Sequence, residues 1–411
     1  MSSANLVSVI YTPETVYGVT DVPLSGATAE TVRMTSESLS GTPATTTSAE
    51  IRTDRMSAGQ VVTGLDVGGA IDYELAPGQF WDDFFEASMM STWVAAAGLS
   101  TDVTLTPDPL DDQQADLIIT GDFSTIGPGV AVGDVLQLVP ATGDPVPVTV
   151  ISITTTTELV VATTRGQAAI VGVTMTVTIP SYLVIGTTQR SFTIGKSYLD
   201  VPTGVSTDVQ SQTYTGSLVD TFNVSATYGS ITTGNFGTMA NGYLQETPSF
   251  EQQIVAAGGT VNPADVSSPI NASIDVPIVT SDDVATNFCI ESFTIDLANG
   301  LDPQTCIGSP APKAYTLGTA NVAITASIYL SNTSYQAYMP AKLTQAPVSM
   351  TFMMENVDGG YAFSMPAVQL SFPDPASGGQ DEQTMIDAAG VAKVGANGES
   401  SLKIWKLVGV Q

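Results

Sequence analysis

The sequence predicts an all-β fold. Apolar and polar residues alternate with period two along most of the 411-residue chain. The alternation is broken at turn positions such as Gly41-Thr42, Tyr228-Gly229-Ser230, Asn299-Gly300 and Asp358-Gly359-Gly360. Ser and Thr are abundant, Gly (37) and Pro (24) are numerous, and charged residues make up only 12%, against about a quarter in ordinary soluble domains. Helical periodicity is clear in few places. With 43% apolar residues, the length suits roughly two to three domains with real cores. A surface this poor in charge is expected to be covered largely by copies of the chain itself.

The elements follow in order. Residues 1–19 have no basic n-region and no apolar h-region, and no run of 18 apolar residues occurs anywhere, so neither a secretory signal nor a membrane span is expected. The strand at 66–75 separates into two faces. Val67, Gly69, Ile71, Tyr73 and Leu75 lie on one, and Asp66, Gly68, Ala70, Asp72 and Glu74 on the other. A helix starts at Pro77, a favoured first-turn residue, with Phe80, Trp81, Phe84, Phe85, Ser88, Met89 and Trp93 at helical spacing, so one face docks on a sheet. Asp82, Asp83 and Glu86 occupy its first turns, where the dipole favours carboxylates.

Residues 100–189 hold nine acids and one base, Arg165, with strands near 116–120, 130–139, 146–153, 159–164 and 173–179. They are expected as a small β-barrel-like domain. Residues 241–287, with Pro248, Pro263, Pro269 and Pro277, read as an extended linker. A shift of 255 positions from the 66–75 strand reaches Val322, Ile324, Ala326, Ile328 and Leu330, then a Ser331-Asn332 cap, then Tyr335, Tyr338 and Met339. Ser191-Phe192-Thr193-Ile194 has a partner in Ser349-Met350-Thr351-Phe352, and the strand ending near Leu39 has one ending near Leu297. The matches keep one order, which predicts an internal duplication. Residues 1–99 and 190–240 form the first copy, 100–189 the insertion, 241–287 the linker and 288–411 the second copy.

The charge balance excludes several functions. Eleven Lys plus Arg against 40 Asp plus Glu leave a formal charge of −29, and there is no His. The chain alone cannot build a His-based triad or a His-containing zinc or iron site. Few, unclustered cations oppose binding to phosphate backbones or anionic lipid. No phosphate-cradling glycine loop, dinucleotide fingerprint or CxxC pair is present, nor an EF-hand or nonapeptide calcium repeat. Paired carboxylates are the only catalytic chemistry left, at Asp82/Asp83/Glu86, Asp111/Asp112, Asp282/Asp283 and Asp381/Glu382. The first set suits a helix N-terminus and the rest lie in loops, so all are expected as solvated structural carboxylates. No catalytic residue, metal or cofactor is expected. Cys289 and Cys306 are expected as buried free thiols in a reducing compartment. The sequons at Asn223, Asn271 and Asn332 are chance matches in a Ser/Thr-rich chain.

In the segment Thr45-Thr46-Thr47-Ser48-Ala49-Glu50-Ile51-Arg52-Thr53-Asp54-Arg55, charges of alternating sign surround one apolar residue. It reads as an arm whose charges pair with a neighbouring subunit. Here the chain resembles the tail tube (major tail) proteins of long-tailed siphophages. The resemblance extends to 5–19 (NLVSVIYTPETVYGV), the strand before Ser36-Glu37-Ser38-Leu39 and the helix after Pro77. It also takes in 190–198, the 222–239 hairpin through Tyr228-Gly229-Ser230-Ile231, and Ser268-Pro269-Ile270-Asn271-Ala272. It implies two tandem tail-tube β-sandwich domains, each with a flanking helix, plus the small inserted β-barrel-like domain. Such domains close into rings around a channel and stack into a tube. By the resemblance, Thr46, Ser48, Glu50, Ile51, Arg52, Asp54 and Arg55 bridge stacked rings. The second copy lacks this motif and has residues 301–320 in its place.

The expected function is therefore a structural virion protein, not an enzyme, forming a negatively charged conduit for genome delivery. Asp66, Asp72 and Glu74 are expected to line the channel, because cations on its wall would grip DNA phosphates. The expected partners are the chain itself, other tail proteins at the tube ends, and double-stranded DNA passing without specific binding; no membrane is involved. The resemblance implies six tube domains around each ring, so two per chain predict trimeric rings of pseudo-sixfold appearance, or hexameric rings if the second copy decorates the exterior. The insertion is expected on the outer wall. The protein would be made in the host cytoplasm and reside in the virion tail. The alternatives are an extracellular surface or adhesin-type β protein binding glycans or calcium, and a two-carboxylate glycosidase.

Overall fold

The computed structural model describes residues 3, 6–19, 26–57, 59–107, 116–121, 130–140, 145–155, 157–162, 174–202, 208–276, 278–281, 289–331, 334–335, 339, 342–375, 379, 383–396 and 398–409. The fold is all-β. The chain opens with β1 (Val7–Pro13), β2 (Thr28–Thr31), β3 (Ser36–Glu37), β4 (Ser40–Thr47), β5 (Gln60–Glu74) and helix α1 (Gln79–Ser88). An inserted domain follows, with β6 (Ala97–Pro107), β7 (Asp116–Thr120), β8 (Val135–Pro140), β9 (Val146–Thr155), β10 (Glu158–Ala162) and β11 (Thr174–Ile179). Next come β12 (Tyr182–Val184), β13 (Ser191–Pro202), β14 (Val209–Thr227), β15 (Thr233–Met239), β16 (Gly242–Glu246), helix α2 (Phe250–Ala256) and β17 (Thr260–Asn262). The second half holds β18 (Ile278–Ser281), β19 (Ile290–Ala298), β20 (Asp302–Gln304), β21 (Ala314–Thr316), β22 (Asn321–Tyr329), β23 (Pro347–Asn356), β24 (Gly359–Ser371), β25 (Met385–Ala392) and β26 (Lys403–Val408).

Eight antiparallel strands pair in the order β4-β5-β15-β14-β19-β22-β25-β24 to make a central sheet. Two flanking sheets cover one of its faces. The first runs β17-β2-β1-β13-β14-β16 and the second β18-β23-β24-β26-β12. The long strands β14 and β24 belong to both layers. β14 pairs with β13 up to Leu218 and with β19 from Thr221. Just before the crossing, Gly216 takes φ 63, and a Cβ there would meet the Asn241 side chain at 2.4 Å.

The same pairings recur in the two halves. β18, β19, β22, β23, β24, β25 and β26 pair with one another as β1, β4, β5, β13, β14, β15 and β16 do. One core runs through both halves, and α1 lies between the layers. Phe84 stacks on Phe192 of the first flanking sheet at 5.0 Å, while Phe85 meets Phe222 and Phe236 of the central sheet and Tyr361 and Phe363 of β24. The helix was expected to dock one face; instead nearly its whole circumference is buried, Asp82, Glu86 and Ser88 included, because sheets enclose it.

Strands β6 to β11 close into a barrel ordered β10-β7-β6-β11-β8-β9, with its own apolar interior. Although the barrel leaves the chain from the first half, it sits on the second. Val135 packs with Met353, Ala362, Trp405 and Leu407, Ser364 and Thr351 hydroxyls donate to the Gly133 carbonyl, and Lys403 reaches Asp134 at 2.5 Å.

Three further expectations are corrected. Gly41-Thr42 is no turn but lies inside β4, whose ladder with β5 runs from Ser40↔Gly68 to Thr47↔Gln60. The 241–287 segment is not a bare linker: it contributes β16 and β17 to the first flanking sheet. Its helix α2 is fixed by a Ser249/Gln252 capping box and buries Phe250 and Ile254 against Ile10 and Ala29. Pro248 falls between β16 and α2, Pro263 and Pro269 follow β17, and Pro277 lies outside the described residues. Cys289 and Cys306 are free but exposed, one at the start of β19 and one beyond β20. In the second copy's helix, Ser331 accepts from the Ser334 amide, whereas Asn332 and Tyr338 lie outside the described residues.

Candidate functional site

The central sheet has one uncovered face. Along β5, Val67, Ile71 and Tyr73 are buried, and the alternate residues Asp66, Asp72 and Glu74 lie on the open side. The neighbouring strands continue this face with hydroxyls, amides and carboxylates bonded across the strands. Asn223 Nδ2 donates to Asp296 Oδ1 at 2.6 Å, Ser225 and Thr294 hydroxyls lie 3.0 Å apart, and Ser327 Oγ donates to Asp387 Oδ1 at 2.7 Å. Ser36 Oγ bonds Asp72. None of the eight strands contains a Lys or Arg. The polar surface is thus organised and anionic, and its eight strands contribute no cation that could grip a polyanion. Asp296 and Asp387 were not singled out from sequence. Their signal was the same two-residue alternation, visible in Phe293, Ile295 and Leu297 against Thr294 and Asp296.

At one end of this sheet β4 and β5 run on as a two-stranded arm. Thr46 faces Thr63 at 3.4 Å, the Glu50 amide donates to Ser48 Oγ at 3.3 Å, and Ile51 at the tip is 98% exposed. Arg52 pairs with Asp54 of the same arm at 2.8 Å, which lowers the Asp54 pKa, and Arg55 stands exposed with φ 60. The arm residues are therefore together in space, apart from the Asp66, Asp72 and Glu74 face. Across the base of the arm, the Leu65 amide donates to the Pro310 carbonyl at 2.7 Å. Pro310 belongs to the connection carrying the β20-β21 hairpin, whose pairing runs from Asp302↔Thr316 to Gln304↔Ala314.

Among the described residues, the candidate set Asp82/Asp83/Glu86 forms no reaction centre. Asp82 accepts from Lys406 Nζ at 2.5 Å and Tyr361 Oη at 2.9 Å. Glu86 pairs with Arg190 and accepts from the Trp93 amide at 3.1 Å, and Asp83 accepts from Tyr11 at 2.7 Å. Burial pushes the Asp82 and Glu86 carboxyls above their ordinary values, against the pull of Lys406 and Arg190. Expected as solvated, both carboxylates are instead buried and paired with partly exposed cations, which pins α1 between sheets. Asp111/Asp112, Asp282/Asp283 and Asp381/Glu382 lie outside the described residues. Among the described residues no cluster of His, Cys, Asp and Glu could hold a metal ion, and no helix is long and apolar enough to cross a membrane.

Residues 4–392 match the family model described as phage tail tube protein. No curated protein matches the chain.

Proposed function

The chain belongs to the phage tail tube protein family, and on that premise we propose that three copies close into a ring of six repeats whose uncovered faces line a channel for the genome. It is a non-enzymatic structural component of the virion tail, and proteins of this family self-assemble into a tube. The observation that carries the finer reading is the junction between the halves. There β14 pairs with β19 from Thr221↔Ala298 to Thr227↔Ser292, so both repeats lie side by side in one sheet with their polar faces aligned. A second half that merely decorated the exterior would not share the sheet. Among the described residues, the outer side of β4 and the end of β24 beyond Gln369 are the sheet's two open edges, and a copy of this junction between neighbouring chains would join them. The face lined by Asp66, Asp72 and Glu74 then points inward, and rings stack through the arm bearing Thr46, Ser48, Glu50, Ile51, Arg52, Asp54 and Arg55. We read the protein as made in the host cytoplasm and built into a long, non-contractile tail that delivers the genome. Other tail proteins would cap the tube ends. Cryo-electron microscopy of the tube without imposed rotational symmetry tests the ring: three chains with three barrel-shaped protrusions are expected, and six equivalent protrusions would end the trimer reading.

A further inference from the structure

The recurring strand pairings put the β20-β21 hairpin in the second half where the β4-β5 arm stands in the first, since β19 and β22 correspond to β4 and β5. Both leave the same end of the central sheet, joined by the Leu65–Pro310 hydrogen bond. Both end in an isoleucine, and Ile307, next to exposed Cys306, is as fully exposed as Ile51. The opposite end of the sheet carries a matching apolar surface. Tyr228 of the β14-β15 turn is 76% exposed, Ile274 72% and Val357 of the β23-β24 turn 66%. Hydrogen bonds from Gly229 to Ser273 and from Ser268 to Asp358 fasten these three into one platform.

The two ends differ in charge. Residues 44–63 carry Arg52 and Arg55 against Glu50 and Asp54, and 299–320 carry Lys313 against Asp302, so each arm is neutral in a chain of charge −29. Around the platform stand Glu291, Asp275 and Asp358, and segments 228–231, 265–276 and 355–358 contain no Lys or Arg. A second copy of this chain is the partner that presents these neutral, cation-bearing tips to that acidic apolar end. A contact joining opposite ends of identical chains repeats without closing, which is the geometry of a filament.

We propose that residues 301–320 form a second stacking arm, seated by Ile307 on the Tyr228–Ile274–Val357 platform of a second copy in the next ring. The inference rests on the tube reading above. Two variants test it beside the wild-type chain. Ile307→Asp alters only an exposed tip and should weaken each ring-on-ring contact about tenfold or more, giving short stacks by negative-stain microscopy. Ile274→Cys, in a Cys289→Ser background, places a thiol on the platform for natural Cys306 to meet. Oxidised tubes should then run as a ladder of multimers on a non-reducing denaturing gel. Normal tube length with Ile307→Asp and no ladder would overturn the second arm while leaving the tube reading intact. A wild-type chain that forms no tubes would overturn both.

Discussion

Asp82 marks how far sequence reasoning reaches at the scale of a single side chain. Its place in the first turn of α1 was legible from Pro77 and the aromatic spacing. Its burial was not, because a carboxylate there looks the same in sequence whether water or a cation faces it. The cation is Lys406, 324 residues away. Burial raises the folded-state pKa of Asp82, and likewise of Glu86 and Asp134. The folded chain then holds a proton that the unfolded chain has already released. Stability therefore falls as pH rises from the ordinary carboxylate range through the raised values, and acidification restores it. Asp82→Asn removes its share, so melting temperature plotted against pH between about 7 and 4 should slope less than in the wild type. Identical slopes would mean that Asp82 titrates alike in both states.

Among elements, five of the six inserted strands followed from their period-two pattern, since each turns one face to the barrel interior, whereas β6 was missed. Where the barrel sits did not follow. Its seat depends on Val135, Gly133 and Asp134 meeting β23, β24 and β26, contacts between segments more than two hundred residues apart that no local pattern encodes. The barrel does for the second flanking sheet what α2 does for the first, covering an apolar outer face. Excising residues 97–179 with a short Gly/Ser closure, β12 retained, would uncover Met353, Trp405 and Leu407 and leave Lys403 without Asp134. At about 1.5–3 kcal/mol for each large apolar side chain, the loss is a sizeable part of a domain's stability. The truncated chain should melt earlier and aggregate on size-exclusion chromatography, in place of the thinner-walled tube that an outer appendage would allow. A monodisperse truncation melting with the wild type would make the barrel a passive appendage.

For the whole molecule, the 255-residue offset pointed to two related halves, but not to their sharing one sheet and one core. That sharing depends on β19 meeting β14 and on Phe85 reaching across to Tyr361 and Phe363. The open face was legible on β5 because Asp66, Asp72 and Glu74 keep the parity opposite to Val67, Ile71 and Tyr73. Replacing Asp66, Asp72 and Glu74 together by Lys should slow DNA release from assembled particles most at low salt, since each lysine adds roughly one phosphate contact. An unchanged release rate across a salt series would remove this face from the channel. The β14–β19 junction also bears on how a tube begins. Because both partners are tethered in one polypeptide, they meet at an effective concentration of about millimolar, whatever the number of chains made. In the proposed six-repeat ring, every second seam would be in place before any two molecules collide. Three chains would then close in two encounters where six would need five, so nucleation would depend less steeply on protein supply early in infection, when chains are scarce.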